Sequence, residues 1–316
     1  MDVIAATRRR LGFGLALLGA AGFAGAGAPA REPAAEVRAA VNAERARRGA
    51  SALAGSAVLD RAAQSRADAV AGAVDVASAE IGGEDLGRLV ESLGYEDRAI
   101  AELVLVGGTS FPERFARLSV SNPENFAEAM GKEYRDLGVG IAALDGGGSV
   151  WALVLGLSFA DDFAAKTAAL SDLADVRARM LALVNRERAA RRLAPLRENA
   201  ALDAAAQAHA DDMIRRSYYA HAAPDGASAL DRAHRAGYLP VAVGENIAEG
   251  QTSVEEVMKG WMESPLHRGE ILSVAMREIG MGLAFGRNAR GWEIVWVQNF
   301  GIPRAAETLR PRRAPR

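Results

Sequence analysis

The stretch Leu183–Met213, LVNRERAARRLAPLRENAALDAAAQAHADDM, occurs in a second version earlier in the chain. Ala40–Val70 reads AVNAERARRGASALAGSAVLDRAAQSRADAV, and the two stretches share 15 identities in 31 positions at a constant offset of 143. Five identities are alanine matches, which this alanine-rich composition could supply by chance, but the other ten are not. After one gap the register continues with LGVG (Leu137–Gly140) on IGMG (Ile279–Gly282). We therefore expect two copies of one domain, too few for a repeat array.

Apolar spacing in the second copy predicts three helices followed by two strands, EIGMGLAF and WEIVWVQNF. Ser253 with Glu256 predicts a capping box that opens the third helix, and Pro265 predicts its end. Because the last strand has apolar residues on both faces, we expect a sheet that is covered on both sides. The predicted fold class is α/β, with two tandem three-layer α/β/α sandwich domains at residues 34–160 and 172–303.

The first thirty residues have the composition of an export signal. Arg8–Arg10 precede a long uncharged run, and Ala24, Ala26 and Ala28 offer A-x-A cleavage sites. We expect residues 1–30 to be a cleaved signal peptide on an exported protein, periplasmic or extracellular. An uncleaved anchor helix is the alternative, and it would be the membrane contact of the chain.

Composition and charge exclude several classes of protein. The chain has no cysteine, so disulfides and thiolate metal sites are impossible. Its formal net charge of -2 gives no field that attracts nucleic acid. The basic tail, residues 304–316, ends in RPRRAPR, which either contacts an anionic polymer or lipid or is a solvated end.

All four histidines lie in the second copy, and this asymmetry separates the two copies. His209 lies on an apolar helical stripe and is predicted to be a hydrogen-bonded core residue. His234, among the arginines of DRAHRAGY, is predicted to be a solvated helix residue. His221 in YYAHAAPDG and His267 in SPLHRGEIL lie at predicted element boundaries, where sites are usually built.

Six motifs of the second copy, in order, closely resemble the bacterial branch of the CAP superfamily, which contains cysteine-rich secretory, antigen 5 and pathogenesis-related proteins. They are LVNRERAARRLAPL, AAAQAHADDM, YYAHAAPDG, GENIAEG, GWMESPLHR and WVQNFG, within Leu173 to about Pro303. The resemblance implies a three-layer α/β/α sandwich with a large central cavity, carried on a secreted protein. It also implies two histidines and two glutamates in that cavity that can hold a divalent metal.

The resemblance assigns three of those four ligands to His221, Glu245 and His267. Ser264 occupies the usual position of the second glutamate, and Glu263 lies one place earlier, about 100° round a helix. Two imidazoles and one carboxylate suit Zn²⁺ and leave one position for water or substrate. Because metal binding needs neutral histidines, the affinity should fall as the pH drops through about 6.5.

A metal-free alternative remains open for the same residues. In it the histidines donate to Glu245 and backbone N–H groups satisfy the carboxylate in a hydrogen-bonded polar cluster. Asn246 is predicted to pin the loop that carries Glu245, with Trp261 and Ser264 as further cavity or loop support.

The first copy lacks most of the predicted site. The offset places three of its residues at the ligand positions: Ser78, Glu102 and Asn125. It reads AELV where the second copy reads GENI, and it has Leu118 in place of Trp261. We expect a degenerate CAP-like domain that serves architecture or partner contact.

Three functions compete. The first is an exported module that binds a peptide, glycan or lipid at the cavity. The second is metal-assisted hydrolysis of a peptide or ester with Glu245 or Glu263 as base, although the chain has no H-E-x-x-H helix and no G-x-S-x-G elbow. The third is a structural protein of the cell envelope.

Overall fold

The computed structural model describes residues 34–72, 83–107, 110–113, 115–116, 126–127 and 130–304. The predicted signal peptide, the tail beyond residue 304, and Ser78, Leu118 and Asn125 lie outside the described residues. The chain divides into two compact units between Phe163 and Ala164. None of the helices in the described part has the length and apolarity needed to span a bilayer.

The first unit combines four strands with helices. Its elements are α1 (Ala34–Arg47), β1 (Ala54–Gly55), α2 (Ala57–Ala71), α3 (Gly83–Ser92), β2 (Asp97–Gly107), β3 (Asp136–Ala143) and β4 (Ser149–Ser158), and α4 (Phe159–Thr167) crosses into the second unit. The strand order is β1-β3-β4-β2, with β1 parallel to β3 and the other pairs antiparallel. The side chain of Ser56 caps α2 by accepting the N–H of Leu59.

The second unit has the same order of strands, with two further helices described after its second strand. Its elements are a 3₁₀ turn (Ala168–Leu170), α5 (Leu173–Ala189), β5 (Arg197–Glu198), α6 (Ala200–Arg216), α7 (Ala229–Arg235), β6 (Pro240–Glu249), α8 (Val254–Glu263), α9 (Pro265–Ile271), β7 (Glu278–Asn288) and β8 (Gly291–Pro303). The strand order is β5-β7-β8-β6, again with the short first strand parallel to its neighbour. Asp172 and Asn199 cap α5 and α6 with their side chains.

Helices cover both faces of each sheet. In the first unit, Trp151 and Leu153 of β4 pack in one apolar cluster with Val41 of α1. The intervening Ala152 packs in a second cluster with Leu59 of α2. In the second unit α6 packs on β7 and β8, and β8 is buried without interruption from residue 294 to 301. The predicted sheet with two covered faces is therefore confirmed, and the α/β class with it.

Glycines allow the helix that follows each short first strand to lie directly on the sheet. A Cβ built on Gly282 of β7 would lie 2.3 Å from the carbonyl carbon and oxygen of Ala206 in α6. One built on Gly140 of β3 would lie 2.1 Å from the carbonyl oxygen of Ala63 in α2. Such separations are far below van der Waals contact, so the IGMG and LGVG motifs are packing requirements.

Six side-chain contacts of the first unit recur in the second at the sequence offset. Asn42 exchanges hydrogen bonds with the backbone of Leu53, and Asn185 does the same with Leu196. The other pairs with matching contacts are Arg45 and Arg188, Asp60 and Asp203, Gln64 and Gln207, Tyr95 and Tyr238, and Arg135 and Arg277. The two units thus share strand order and internal contacts.

The prediction for GENIAEG needs correction. GENIAEG was expected to form a loop, but its residues Gly244–Glu249 lie on strand β6. A Cβ on Gly244 would lie 2.0 Å from Oε2 of Glu270, so a larger residue there would displace that side chain. Pro265 does follow the end of α8, but it also begins α9, and proline is well suited to the first turn of a helix. His267 therefore lies on a short helix.

Ser253 caps α8 by accepting the N–H of Glu256 at 3.1 Å. The return contact differs from the predicted capping box, because Oε2 of Glu256 accepts the N–H of Thr252 at 2.8 Å.

Candidate functional site: a buried carboxylate between an arginine and a histidine

Glu245 lies on β6, opposite Asn299 of β8, and its side chain is only 4% exposed. Its Oε1 accepts a hydrogen bond from Nδ1 of His221 at 3.0 Å. Its Oε2 accepts one from Nη2 of Arg232 at 2.6 Å. With its amide turned so that both ends are satisfied, Asn299 also donates to Oε2 at 3.2 Å. The carboxylate is therefore fully engaged by protein groups.

Arg232 is the residue of this site that sequence reasoning missed. It lies on α7, and its side chain is 7% exposed. Besides Glu245, it donates to the carbonyl of Ala227 at 2.9 Å and to the carbonyl of His221 at 3.0 Å. The guanidinium thus ties the loop that carries His221 to β6. One feature of the sequence could have indicated it: Glu245 was predicted to be a buried carboxylate, and no cation was predicted to balance its charge.

His221 and His267 have different environments. The His221 side chain is 59% exposed, and its hydrogen bond to Glu245 raises its pKa. His267 is half-buried, and burial followed by the charge of the nearby His221 lowers its pKa. Nδ2 of Asn246, which is fully buried, donates to the backbone carbonyl of His267 at 3.1 Å. Asn246 therefore ties α9 to β6 rather than pinning a loop.

His209 is fully buried on α6, as expected for a hydrogen-bonded core residue. Its Nε2 lies 3.0 Å from the carbonyl of Ala220 and 3.9 Å from Oε1 of Glu245. Burial lowers its pKa. His209 supports the segment before His221 and packs behind the carboxylate. His234 is exposed, as predicted.

The remaining predicted residues surround the site or lie away from it. Trp261 is buried and donates from Nε1 to the carbonyl of Ile247 at 3.2 Å, which anchors α8 to β6. Ser264 joins α8 to α9 without capping either helix through its side chain. Glu263 is 68% exposed, 3.8 Å from Nζ of Lys259, in a groove of about 340 Å³ between α5 and α8.

The side chains as they lie do not fit the predicted metal. Among the described residues, no three His, Asp or Glu side chains are grouped closely enough to hold an ion. Arg232 already occupies Oε2 of Glu245, and a divalent ion on the same carboxylate would be repelled by the guanidinium. This arrangement corresponds to the metal-free polar cluster, which is the alternative that the sequence left open. Zinc binding by His221, Glu245 and His267 stays a prediction.

The first unit retains a buried carboxylate at the position of Glu245, and an arginine covers it. Glu102 of β2 is 10% exposed and accepts from Nε and Nη2 of Arg66 at 2.8 and 3.1 Å. Burial raises the pKa of Glu102, and the hydrogen bond from Arg66 opposes that change. Arg66 stands at the offset position of His209. The carboxylate of this unit is therefore covered by a guanidinium from α2.

The pKa shifts predict the order in which the site histidines titrate. The midpoint of His221 should lie above about 6.5, and those of His267 and His209 below it. The stabilising contact of His221 is complete at low pH and is lost as the pH rises through its raised pKa. The neutral forms of His209 and His267 favour folding above about 6.5, so their contribution falls as the pH drops.

Proton–nitrogen NMR spectra of the imidazoles across the pH range measure these midpoints. The exposed substitution Glu263→Gln is the control and should leave the order unchanged. A midpoint for His221 below that of His267 would contradict the hydrogen bond to Glu245.

Comparison with known proteins places the second unit in a family. Residues 181–300 match the family model CAP, described as the cysteine-rich secretory protein family. The Bacillus subtilis protein named "Uncharacterized protein YkwD" is 34% identical over 134 residues, which are 42% of this chain and 50% of that protein. The chain thus spans about half the length of this curated relative.

The solved structures that resemble this chain have low sequence identity to it. An extracellular protein containing an SCP domain from Bacillus anthracis is 20% identical over 49% of this chain and 51% of its own, with a TM-score of 0.36. An outer surface protein of Borrelia burgdorferi is 19% identical over 40% of this chain and 90% of its own, with a TM-score of 0.35. The second unit therefore contains a CAP domain over residues 181–300, and this domain has a bacterial relative in B. subtilis.

Proposed function

We propose that the chain is an exported binding protein whose second unit holds its ligand at His221. One observation carries this proposal. The His221 side chain is 59% exposed, yet its ring is fixed because Nδ1 donates to Glu245, which is 4% exposed. A recognition group that is already ordered loses little conformational entropy when a ligand binds. Nε2 of His221 has no protein partner among the described residues, so it is left for a ligand.

The charges of the site favour a ligand with an anionic group. Arg232 balances Glu245, and the raised pKa of His221 extends its charged form to higher pH. A charged imidazole donates from both nitrogens, so Nε2 would donate to the ligand. Leu266, next to His267 in α9, is 85% exposed and offers an apolar surface. A peptide with an acidic group beside an apolar side chain combines both features, and glycans and lipids are the competing ligands.

The binding prediction compares two histidines of the same unit. His221→Ala should weaken binding of an acidic peptide by about tenfold or more, because a hydrogen bond to a charged group is lost. His234→Ala, an exposed histidine on α7, should leave the affinity unchanged. Immobilised peptide, glycan and lipid libraries identify the ligand, and titration calorimetry measures its affinity. Equal affinities of the two variants would show that His221 is not part of the binding site. If the libraries identify a glycan or a lipid, that ligand replaces the acidic peptide in the proposal.

Hydrolysis is the second candidate, and one observation favours it. The pKa of His221 is raised and that of His267 lowered, which is the separation expected of an acid and a base. No hydroxyl is hydrogen-bonded to either imidazole ring among the described residues, so a nucleophile is missing. Turnover of peptides or esters in the same libraries, lost in His267→Ala, would favour hydrolysis over binding.

We also propose that the first unit is a diverged copy of the same CAP-like domain. The shared strand order and the six matching contacts support this origin. Its carboxylate Glu102 is covered by Arg66, so its role is architecture or contact with a partner. Export rests on Arg8–Arg10 and the uncharged run that follows. N-terminal sequencing of the exported protein would locate the cleavage site, and an intact Met1 would contradict cleavage.

A further inference from the structure

We infer that Arg232 is the resident cation of the site and takes the place of a metal ion. A cation that organises this site must balance the buried carboxylate of Glu245 and join it to the segment of His221. The guanidinium does both, because Nη2 donates to Oε2 of Glu245 at 2.6 Å and to the carbonyl of His221 at 3.0 Å. This inference does not depend on the proposed ligand.

Arg232 is held in place by its own surroundings. It is 7% exposed, and Nη1 donates to the carbonyl of Ala227 at 2.9 Å. Ser228 and Asp231 form a capping box at the start of α7 and fix the turn of helix that carries the arginine. The guanidinium fork therefore meets the carboxylate and two carbonyls without rearrangement, as suits a buried ion pair.

The first unit supplies an independent observation. Its carboxylate at the equivalent strand position, Glu102, is also covered by a guanidinium, with contacts of 2.8 and 3.1 Å to Arg66. The two arginines do not correspond in sequence. Arg66 matches His209 at the offset, and position 89, which matches Arg232, is leucine. Both units thus balance the strand carboxylate with an arginine, but from different helices.

A second cation on Glu245 would lie beside this guanidinium. Like charges brought together repel strongly, and the repulsion is greatest where water is excluded. Zinc also needs Glu245 free to bind together with two imidazoles. Removal of the arginine would leave the carboxylate with its hydrogen bond to His221 and with Nε2 of His209 at 3.9 Å. His267 is the remaining predicted ligand.

The test measures zinc binding to the full chain at neutral pH by equilibrium dialysis and elemental analysis. The wild type should hold no stoichiometric zinc, and chelator should not change its thermal midpoint. Arg232→Leu should gain zinc affinity by about tenfold or more, and zinc should raise its thermal midpoint. Arg235→Leu, an exposed arginine on the same helix, should behave like the wild type.

Two further variants keep the result decisive. Arg232→Leu combined with His267→Ala should lose the gained affinity, which ties that affinity to this site. Arg232→Lys retains a cation and should show wild-type zinc binding, and it serves if the leucine variant does not fold. Stoichiometric zinc in the wild type or in Arg232→Lys would overturn the inference. So would a folded Arg232→Leu variant whose zinc affinity equals that of the wild type.

Discussion

Gly282→Ala is expected to destabilise the second unit by about 3 kcal/mol or more, beyond the usual cost of overpacking. The added Cβ would lie 2.3 Å from the carbonyl group of Ala206 and 2.4 Å from the backbone nitrogen of Gln207. These are main-chain atoms of α6, so no side-chain rotation can relieve the clash. The helix would have to move away from β7, and it would lose apolar contact along its length.

Gly286→Ala is the matched control, because it lies on the same strand. Its Cβ would lie 3.7 Å from the nearest side-chain atom, Cγ2 of Ile214, which is ordinary contact. We expect this variant to stay within about 1 kcal/mol of the wild type. Three of the four tryptophans lie in the second unit, so tryptophan fluorescence during urea unfolding reports mainly on that unit. Equal midpoints for the two variants would show that α6 does not lie directly on β7.

The spacing of apolar residues made the α/β class predictable from sequence, and the internal repeat indicated two related stretches. A shared offset relates stretches such as IGMG and LGVG, and both prove to be strands against which a helix packs closely. The continuous apolar character of the last strand also predicted burial on both faces correctly. These features are local, because each is decided by residues within one or two elements.

The parts that could not be predicted depend on tertiary contacts. Glycine is common in turns, so GENIAEG is predicted to form a loop, but Gly244 lies on a strand beside the side chain of Glu270 in α9. Arg232 was not identified because nothing in its own helix distinguishes it from the exposed Arg235. Only the approach of α7 to β6 brings its guanidinium to Glu245. The family motifs located His221 and Glu245, but they did not predict that an arginine occupies the carboxylate.

Glu245→Gln is expected to destabilise the second unit by about 3–5 kcal/mol, the cost of leaving one charge of a buried pair without its partner. Arg232 would keep its positive charge at 7% exposure while its 2.6 Å contact would become a bond to a neutral amide. His221 would lose the acceptor that fixes its ring. Urea unfolding followed by tryptophan fluorescence measures the change.

Two variants separate this effect from simple loss of a carboxylate. Glu263→Gln removes a glutamate that is 68% exposed, and exposed ion pairs contribute little, so we expect a change of at most about 0.5 kcal/mol. Arg232→Met combined with Glu245→Gln removes both charges and should recover part of the lost stability, since no buried charge is then left unpaired. A loss below about 1 kcal/mol in Glu245→Gln would mean that Arg232 reaches water without moving far, and its role as the cation of this site would fall with that result.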